Sequence, residues 1–356
     1  MPPVARLGYL KTMSLFRLLR LPLDALAVAG GARSFADNAV LGSDALNRRG
    51  LHAGRVALAE RAAELRRALM RGATAEDRAA FERDGILVKQ DYLPSERFAR
   101  LRAELLETPL RAREHLQGDA LNRLIPLSPT VLTKLPETAA LLAAPEWRVL
   151  LRHVTSSRTP PILFVQTIFS QAVPAQPDPQ TAMHSDTFYP SMKAWLYLTD
   201  VALEDGPFVY VPGSHRSTPA RLAWERAKSI GWRESDPLTR RGSLRITASE
   251  LEALGLPPAR PYPVPANTLV IADTHGFHAR ATSARPSVRV AVFAQGRGSP
   301  FIPLPLPSPR ALLGGREVDL AWNLTDALAT RGWAYQHWQR VGEVRAGDPP
   351  VSLEPN

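Results

Sequence analysis

Residues 193–213 read KAWLYLTDVALEDGPFVYVPG. Two short runs, KAWLYLTD (193–200) and PFVYVPG (207–213), are rich in aromatic and β-branched residues, which suit a pleated, half-buried surface. Gly206 and Gly213 bound the second run, where turns call for positive φ. Outward from this stretch the same texture recurs in PILFVQTIF (161–169), NTLVIAD (267–273) and VRVAVFAQG (288–296), each set off by Pro or Gly. Five short, turn-bounded strands predict a mainly β protein with flanking helices, its core a barrel or a double-sheet jelly roll of the cupin-like, double-stranded β-helix kind.

The flanks read as helix. Residues 1–72 form a predicted N-terminal arm in which Val56, Leu58, Ala62, Leu65 and Leu69 lie near one stripe, expected to face the main domain. A new start follows at Thr74, an N-cap before an acidic first turn, and that helix closes at Gly85. Ile86 to Lys89 is a predicted strand, and Pro94 opens the helix SERFARLRAELLE. The jelly-roll domain is expected over 73–300, with a helical insert at 217–260 that leaves the sheet. Beyond it, 301–356 is read as an extension in which the Pro-rich FIPLPLPSP gives way to helices at 317–330 and 332–341.

Composition narrows the chemistry. The 356-residue chain has no cysteine, so disulfides, thiolate metal sites and thiol nucleophiles are excluded, and a metal must be held by His, Asp or Glu. Its formal charge of +10 is almost all arginine, since Lys11, Lys89, Lys134, Lys193 and Lys228 are the only lysines. The arginines are dispersed, with no helix-turn-helix or zinc-finger spacing, so nucleic acid is not the expected partner. A basic surface favours an anionic or lipid-linked substrate. The most apolar stretch, 14–30, is interrupted by Arg17, Arg20, Pro22 and Asp24 and falls short of a membrane span. A cytoplasmic chain is expected, with residues 14–30 able to touch the inner membrane surface as an interfacial helix.

The chemistry concentrates in TAMHSDTFYP (181–190). On a strand, His184 and Asp186 project from one face, which begins a facial site of two imidazoles and one carboxylate. The third ligand must come from a distant segment, and ADTHGFHARATSARPSVRVAVF (272–293) offers His275 and His278. Three residues apart, only one of them can face the metal from a strand. Phe188 and Tyr189 are expected to line a pocket, Trp195 and Tyr197 share one face as core or pocket wall, and His215 reads as a structural histidine at a turn.

In order, AFERDGILV (80–88), HSD (184–186), KAWLYLTDVALEDGPFVYVPGSH (193–215) and a distal histidine followed by arginine resemble the phytanoyl-CoA dioxygenase family of Fe(II)/2-oxoglutarate oxygenases. The resemblance implies Fe(II) held by His184, Asp186 and His278, with O2 and 2-oxoglutarate as co-substrates. The family's spacing favours His278 over His275, since Arg289 lies eleven residues beyond His278. Arg289 then pairs with the distal carboxylate of 2-oxoglutarate through two parallel bonds, with Gln166 and Ser287 as supplementary donors. The implied reaction hydroxylates an unactivated C–H of a small-molecule or lipid-linked substrate and releases succinate and CO2. Asp186 argues against halogenation, which needs a small residue there. The alternative reading is a non-catalytic cupin-like metal-binding or membrane-surface protein.

Overall fold

The computed structural model describes residues 20–353. Eleven strands carry the core: β1 Ile86–Lys89, β2 Leu110–Gln117, β3 Ala120–Pro126, β4 Ile162–Ser170, β5 Ser191–Tyr197, β6 Phe208–Tyr210, β7 Arg260–Tyr262, β8 Leu269–Asp273, β9 His278–Arg280, β10 Ser287–Arg297 and β11 Gln339–Val344. They form an eight-stranded sheet in the order β1-β8-β5-β10-β4-β3-β2-β11 and a three-stranded sheet, β7-β6-β9. All pairings are antiparallel, and non-consecutive neighbours such as β5 between β8 and β10 give the crossed connectivity of a jelly roll. The fold is mainly β with flanking helices, as predicted.

Strand alternation separates the core from the site. On β5, Met192, Ala194 and Leu196 enter the main apolar cluster with Leu101, Leu105, Leu141, Trp147 and Leu151 of the helices outside the large sheet. The opposite face turns Lys193, Trp195 and Tyr197 into a cavity between the sheets. Local signals hold well here. The helix Ala75–Asp84 is capped by Thr74, whose side chain accepts from Asp77 N, and ends at Gly85 with φ 76°. Ser95–Glu107 follows Pro94 as expected, and the insert carries helices at Pro219–Ile230, Pro237–Arg240 and Ala248–Ala253.

Two expectations are corrected, and one hairpin had no expectation. In that hairpin, β2–β3, the apolar pattern of Leu110, Ala112, Leu121, Leu124 and Ile125 is interrupted by the buried Arg113, Glu114 and Arg123. Residues 332–341 are not helical: Gln339–Val344 is β11, paired with β2 from Gln339↔Glu114 to Val344↔Leu110. Only the helix Glu317–Ala329 answers to its prediction. In the arm, the helix Leu51–Leu69 exposes Leu58, Leu65 and Leu69 and buries His52, Arg55, Val56, Ala59, Ala62, Ala63 and Arg66. Its docking surface offers carbonyls, and buried guanidinium groups satisfy them: Arg66 donates to Ser156 O and Ile302 O, and Arg55 to Val28 O, Gly30 O and Ala32 O.

Residues 20–28 are helical, with Leu21, Leu23 and Leu26 exposed, while 14–19 of the predicted interfacial stretch lie outside the described residues. Among the described residues, no helix is long and apolar enough to cross a membrane.

Candidate metal centre

His184 lies just ahead of β5, in a single bridge with His278 at the start of β9: each backbone N–H donates to the other's carbonyl at 2.9 Å. Directly opposed residues on adjacent strands carry their side chains together, so the two imidazoles sit with ring centroids 4.4 Å apart. Asp186, two residues on, is fixed by its N–H donating to Thr274 O at 2.9 Å. Its Oδ1 stands 3.7 Å from His184 Nε2 and 3.7 Å from His278 Nε2. The three prospective ligand atoms all lie within 4.8 Å of one another.

Backbone carbonyls fix both tautomers. His184 Nδ1 lies 2.7 Å from Ala182 O and His278 Nδ1 lies 3.0 Å from Gly276 O. A carbonyl can only accept, so Nδ1 carries the proton and the Nε2 lone pairs point at Asp186 Oδ1. His278 Nε2 is buried with no hydrogen-bond partner, the condition expected of an atom whose partner is a cation. Burial pushes the His278 imidazole down to about 4, and burial with the neighbouring His278 holds His184 well below its ordinary value. Burial alone would raise Asp186, but Lys193, His278 and His184 outweigh it and hold the carboxyl far below the usual range. Two neutral imidazoles and one carboxylate are the protonation states a divalent metal requires. These residues fit Fe(II).

His275 does not join them. Its Nδ1 faces Thr187 O at 2.9 Å, and its surroundings are Arg221 and Glu225. It is fully buried, and its Nε2 too has no partner, but it belongs to no group of three converging ligand-type side chains among the described residues.

A cavity of about 300 Å³ opens from the triad between the sheets, walled by Lys193, Trp195 and Tyr197 of β5 and by Arg289, Ala291, Phe293 and Gln295 of β10. Arg289 is half-buried at one end, where its Nη1 donates to Gly206 O and desolvation lowers it to about 10. Arg285 is exposed and paired with Asp205 at 2.8 Å. Gln166 also lines the cavity; its Oε1 accepts from Trp195 Nε1 at 3.1 Å, which leaves the amide N–H groups available. Ser287 does not reach the cavity, because its hydroxyl is spent on Asp205 O at the start of β10.

Trp195 and Tyr197 are therefore pocket wall. Phe188 and Tyr189 are not: after Asp186 the chain turns outward, and both rings pack beneath the arm against Val56 and Ala59, with the Arg55 guanidinium 4.0 Å above Phe188. His215 is structural, its ring tilted against that of Phe81 with centroids 5.3 Å apart. A Cβ at Gly85 would meet His215 Nδ1 at 2.4 Å, so that glycine serves both its positive φ and the close approach. Three elements of the site escaped the sequence reading. Lys193 Nζ lies 2.8 Å from Asp186 Oδ2, Arg280 pairs with Asp178 at 2.9 Å, and His115 and Trp338, packed on each other, also line the cavity. Lys193 shares the inward register of Trp195 and Tyr197, so alternation alone could have found it; Trp338 precedes an unrecognised strand and could not be placed.

Comparison with known proteins bears on this arrangement. Residues 81–253 match the model of the phytanoyl-CoA dioxygenase (PhyH) family. The match covers a little under half of the chain. The matched segment holds His184 and Asp186, while His278 and Arg289 lie beyond it and join the site through β9 and β10. No curated protein matches the chain in sequence. Similar solved structures include the non-haem α-ketoglutarate-dependent epimerase SnoN from nogalamycin biosynthesis, at 17% identity over 61% of this chain and 79% of that one, TM-score 0.37. The carbocyclase SnoK from the same biosynthesis is 20% identical over 63% and 83%, TM-score 0.39. HygX from Streptomyces hygroscopicus, solved with nickel, 2-oxoglutarate and hygromycin B, is 17% identical over 63% and 88%, TM-score 0.39. The likeness of residues 81–253 to this family agrees with a centre built from two histidines and one aspartate.

Proposed function

We propose that the protein hydroxylates an unactivated C–H bond of a small molecule, with 2-oxoglutarate and O2 as co-substrates and succinate and CO2 as co-products. The observation that carries this reading is the pairing of the His184–Asp186–His278 triad with the half-buried Arg289, which has no carboxylate partner among the described residues, in the same cavity, whereas Arg280 is held by Asp178. His184, Asp186 and His278 would hold Fe(II) on one face. Arg289, with Gln166, would hold the distal carboxylate of 2-oxoglutarate. Bound there, the metal and co-substrate supply the oxidising power for the C–H bond.

The protein's own contribution is position and dryness. The Ala182 and Gly276 carbonyls keep the proton on each Nδ1, so that each Nε2 is a ready donor. A guanidinium pinned to Gly206 O presents a fixed fork to a carboxylate, which a mobile lysine would not do. Trp195, Phe208 and Phe293 wall the cavity and limit the water available to a reactive centre. The deciding experiment is succinate release from purified protein supplied with Fe(II), ascorbate, 2-oxoglutarate and O2 but no substrate. Slow release in the wild type, absent from His278→Ala, is expected. Equal release from both would end the reading.

A further inference from the structure

Lys193 projects from β5 into the cavity two residues before Trp195, across the β5–β10 ladder from Gln295. Its ammonium is held by one carboxylate, that of Asp186, at 2.8 Å from Oδ2 and 3.1 Å from Oδ1. That carboxylate is also the anionic ligand of the proposed metal centre. When a dication takes the oxygen facing the two imidazoles, ammonium and metal share one negative charge and repel each other at close range. The Lys193 side chain is only 21% exposed, so water cannot replace its counter-ion cheaply.

Nothing else lining the cavity supplies the missing charge. Asp178 is a lining carboxylate, but Arg280 holds it at 2.9 Å. Two further cations stand close: Arg33 donates to the Asp186 carbonyl, and Arg245 bridges the backbone of His184. Among the described residues neither has a carboxylate within 4.0 Å; Arg245 is spent on Ser243 and Pro179 O. A dication, the Asp186 carboxylate, dianionic 2-oxoglutarate and Arg289 together are neutral. The Asp178–Arg280 pair is neutral by itself. Arg33 and Arg245 do not line the cavity, so among the cations that do, the ammonium of Lys193 is the charge left over.

Resting on the proposed metal and co-substrate sites, we infer that Lys193 is the recognition point for an anionic group, carboxylate or phosphate, on the substrate. Its place beside a metal ligand, at the other end of the cavity from Arg289, keeps this anion distinct from the distal carboxylate of 2-oxoglutarate. It also sets the substrate's shape: the anionic group lies within a few bonds of the carbon oxidised, which describes a small acid or phosphate ester.

The test uses the full chain loaded with Co(II) and saturating 2-oxoglutarate without O2, and inorganic phosphate as the probe, followed by paramagnetic broadening of its phosphorus resonance. Saturable broadening is expected in the wild type. Lys193→Met should weaken phosphate at least about tenfold, while Lys193→Arg stays within about threefold, since it keeps the charge. Absent broadening in the wild type, or equal affinity in Lys193→Met, overturns the inference. So does a tenfold rise in the 2-oxoglutarate Kd of Lys193→Met, which would give the ammonium to the co-substrate. A wild type that takes up no Co(II) would instead defeat the metal-site reading on which the inference rests.

Discussion

Two buried polar groups, one at each end of the large sheet's inner chemistry, follow opposite rules. On β2 and β3, Arg123 and Glu114 are fully buried and fully served. Arg123 reaches Glu114 Oε1 at 2.6 Å and the carbonyls of Asp348 and Pro349 at 2.7 and 2.6 Å, and Glu114 accepts from Val351 N and Ser352 N. At the triad, two imidazoles and a carboxylate converge, each fixed from behind, and the His278 Nε2 has no partner. Burial is shared; satisfaction is not. A saturated network ties down structure, here the C-terminal segment on the sheet edge. Convergent lone pairs held open at the cost of desolvation are a place for a cation.

The comparison breaks most sharply at the ligands. His184→Ala, Asp186→Ala and His278→Ala should each abolish stoichiometric Fe(II) or Co(II) uptake, a loss of at least about a hundredfold, in proteins that still unfold cooperatively. His275→Ala should keep full metal content, because its imidazole faces Thr187 O and not the triad. Metal analysis after gel filtration, beside a urea melt, separates the two. A metal-free His275→Ala beside a loaded His278→Ala would reverse the assignment.

At the saturated network the sign should invert. Glu114→Ala leaves the Arg123 guanidinium buried without its carboxylate and should cost on the order of 3–5 kcal/mol of stability, with metal affinity unchanged when folded. Urea denaturation of wild type and variant measures it. A loss below about 1 kcal/mol would mean that the carbonyls of 345–349 alone satisfy Arg123.

How much of this was legible follows from where each partner lies in the chain. The helix start at Thr74, its stop at Gly85 and β1 are set by neighbours a few residues away, and they were read correctly. β11 was missed because its pairing with β2 spans more than two hundred residues, as in Gln339↔Glu114, and β2 and β3 because buried Arg113, Glu114 and Arg123 interrupt their apolar pattern. The His184–Asp186 half of the triad is an i, i+2 pattern visible in any strand. Choosing between His275 and His278 needed the bridge that sets His278 opposite His184, which no local pattern contains. Phe188 and Tyr189 misled for the opposite reason: nearness to a ligand in sequence says little once the chain turns out beneath the arm.

Arg289 tests a group between the two extremes, held by Gly206 O yet open to the cavity. Its removal should raise the 2-oxoglutarate Kd by hundreds-fold, the equivalent of about 3–5 kcal/mol for an unpaired buried anion, with Co(II) affinity unchanged in the absence of co-substrate. Arg289→Lys should recover part of the loss, since an ammonium lacks the fork. Arg285→Ala should behave as wild type, being exposed and paired with Asp205. Anaerobic titration of 2-oxoglutarate into Fe(II)-protein reads all three, and weakening confined to Arg285→Ala would shift the register of β10.

The smallest effect concerns buried imidazoles that belong to neither class. Burial lowers His153 to about 4 and His215 to about 3, with Arg67 acting on both in the same direction, and neither sits near the triad's ligand atoms. A histidine whose folded value lies below its unfolded value near 6.5 binds its proton more readily in the unfolded chain. Its neutral burial is therefore costless above about pH 6.5, and stability falls as the pH drops from there toward 4. For His153 the loss should approach roughly 3 kcal/mol when the window has been crossed. His153→Gln should remove its share of the slope, whereas Co(II) loading, which acts at His184 and His278, should leave that share unchanged. Urea midpoints between pH 7 and 4.5 decide the matter: a His153→Gln protein with the wild-type slope would show that this histidine binds its proton equally well folded and unfolded, Asp77 offsetting burial and the nearby arginines.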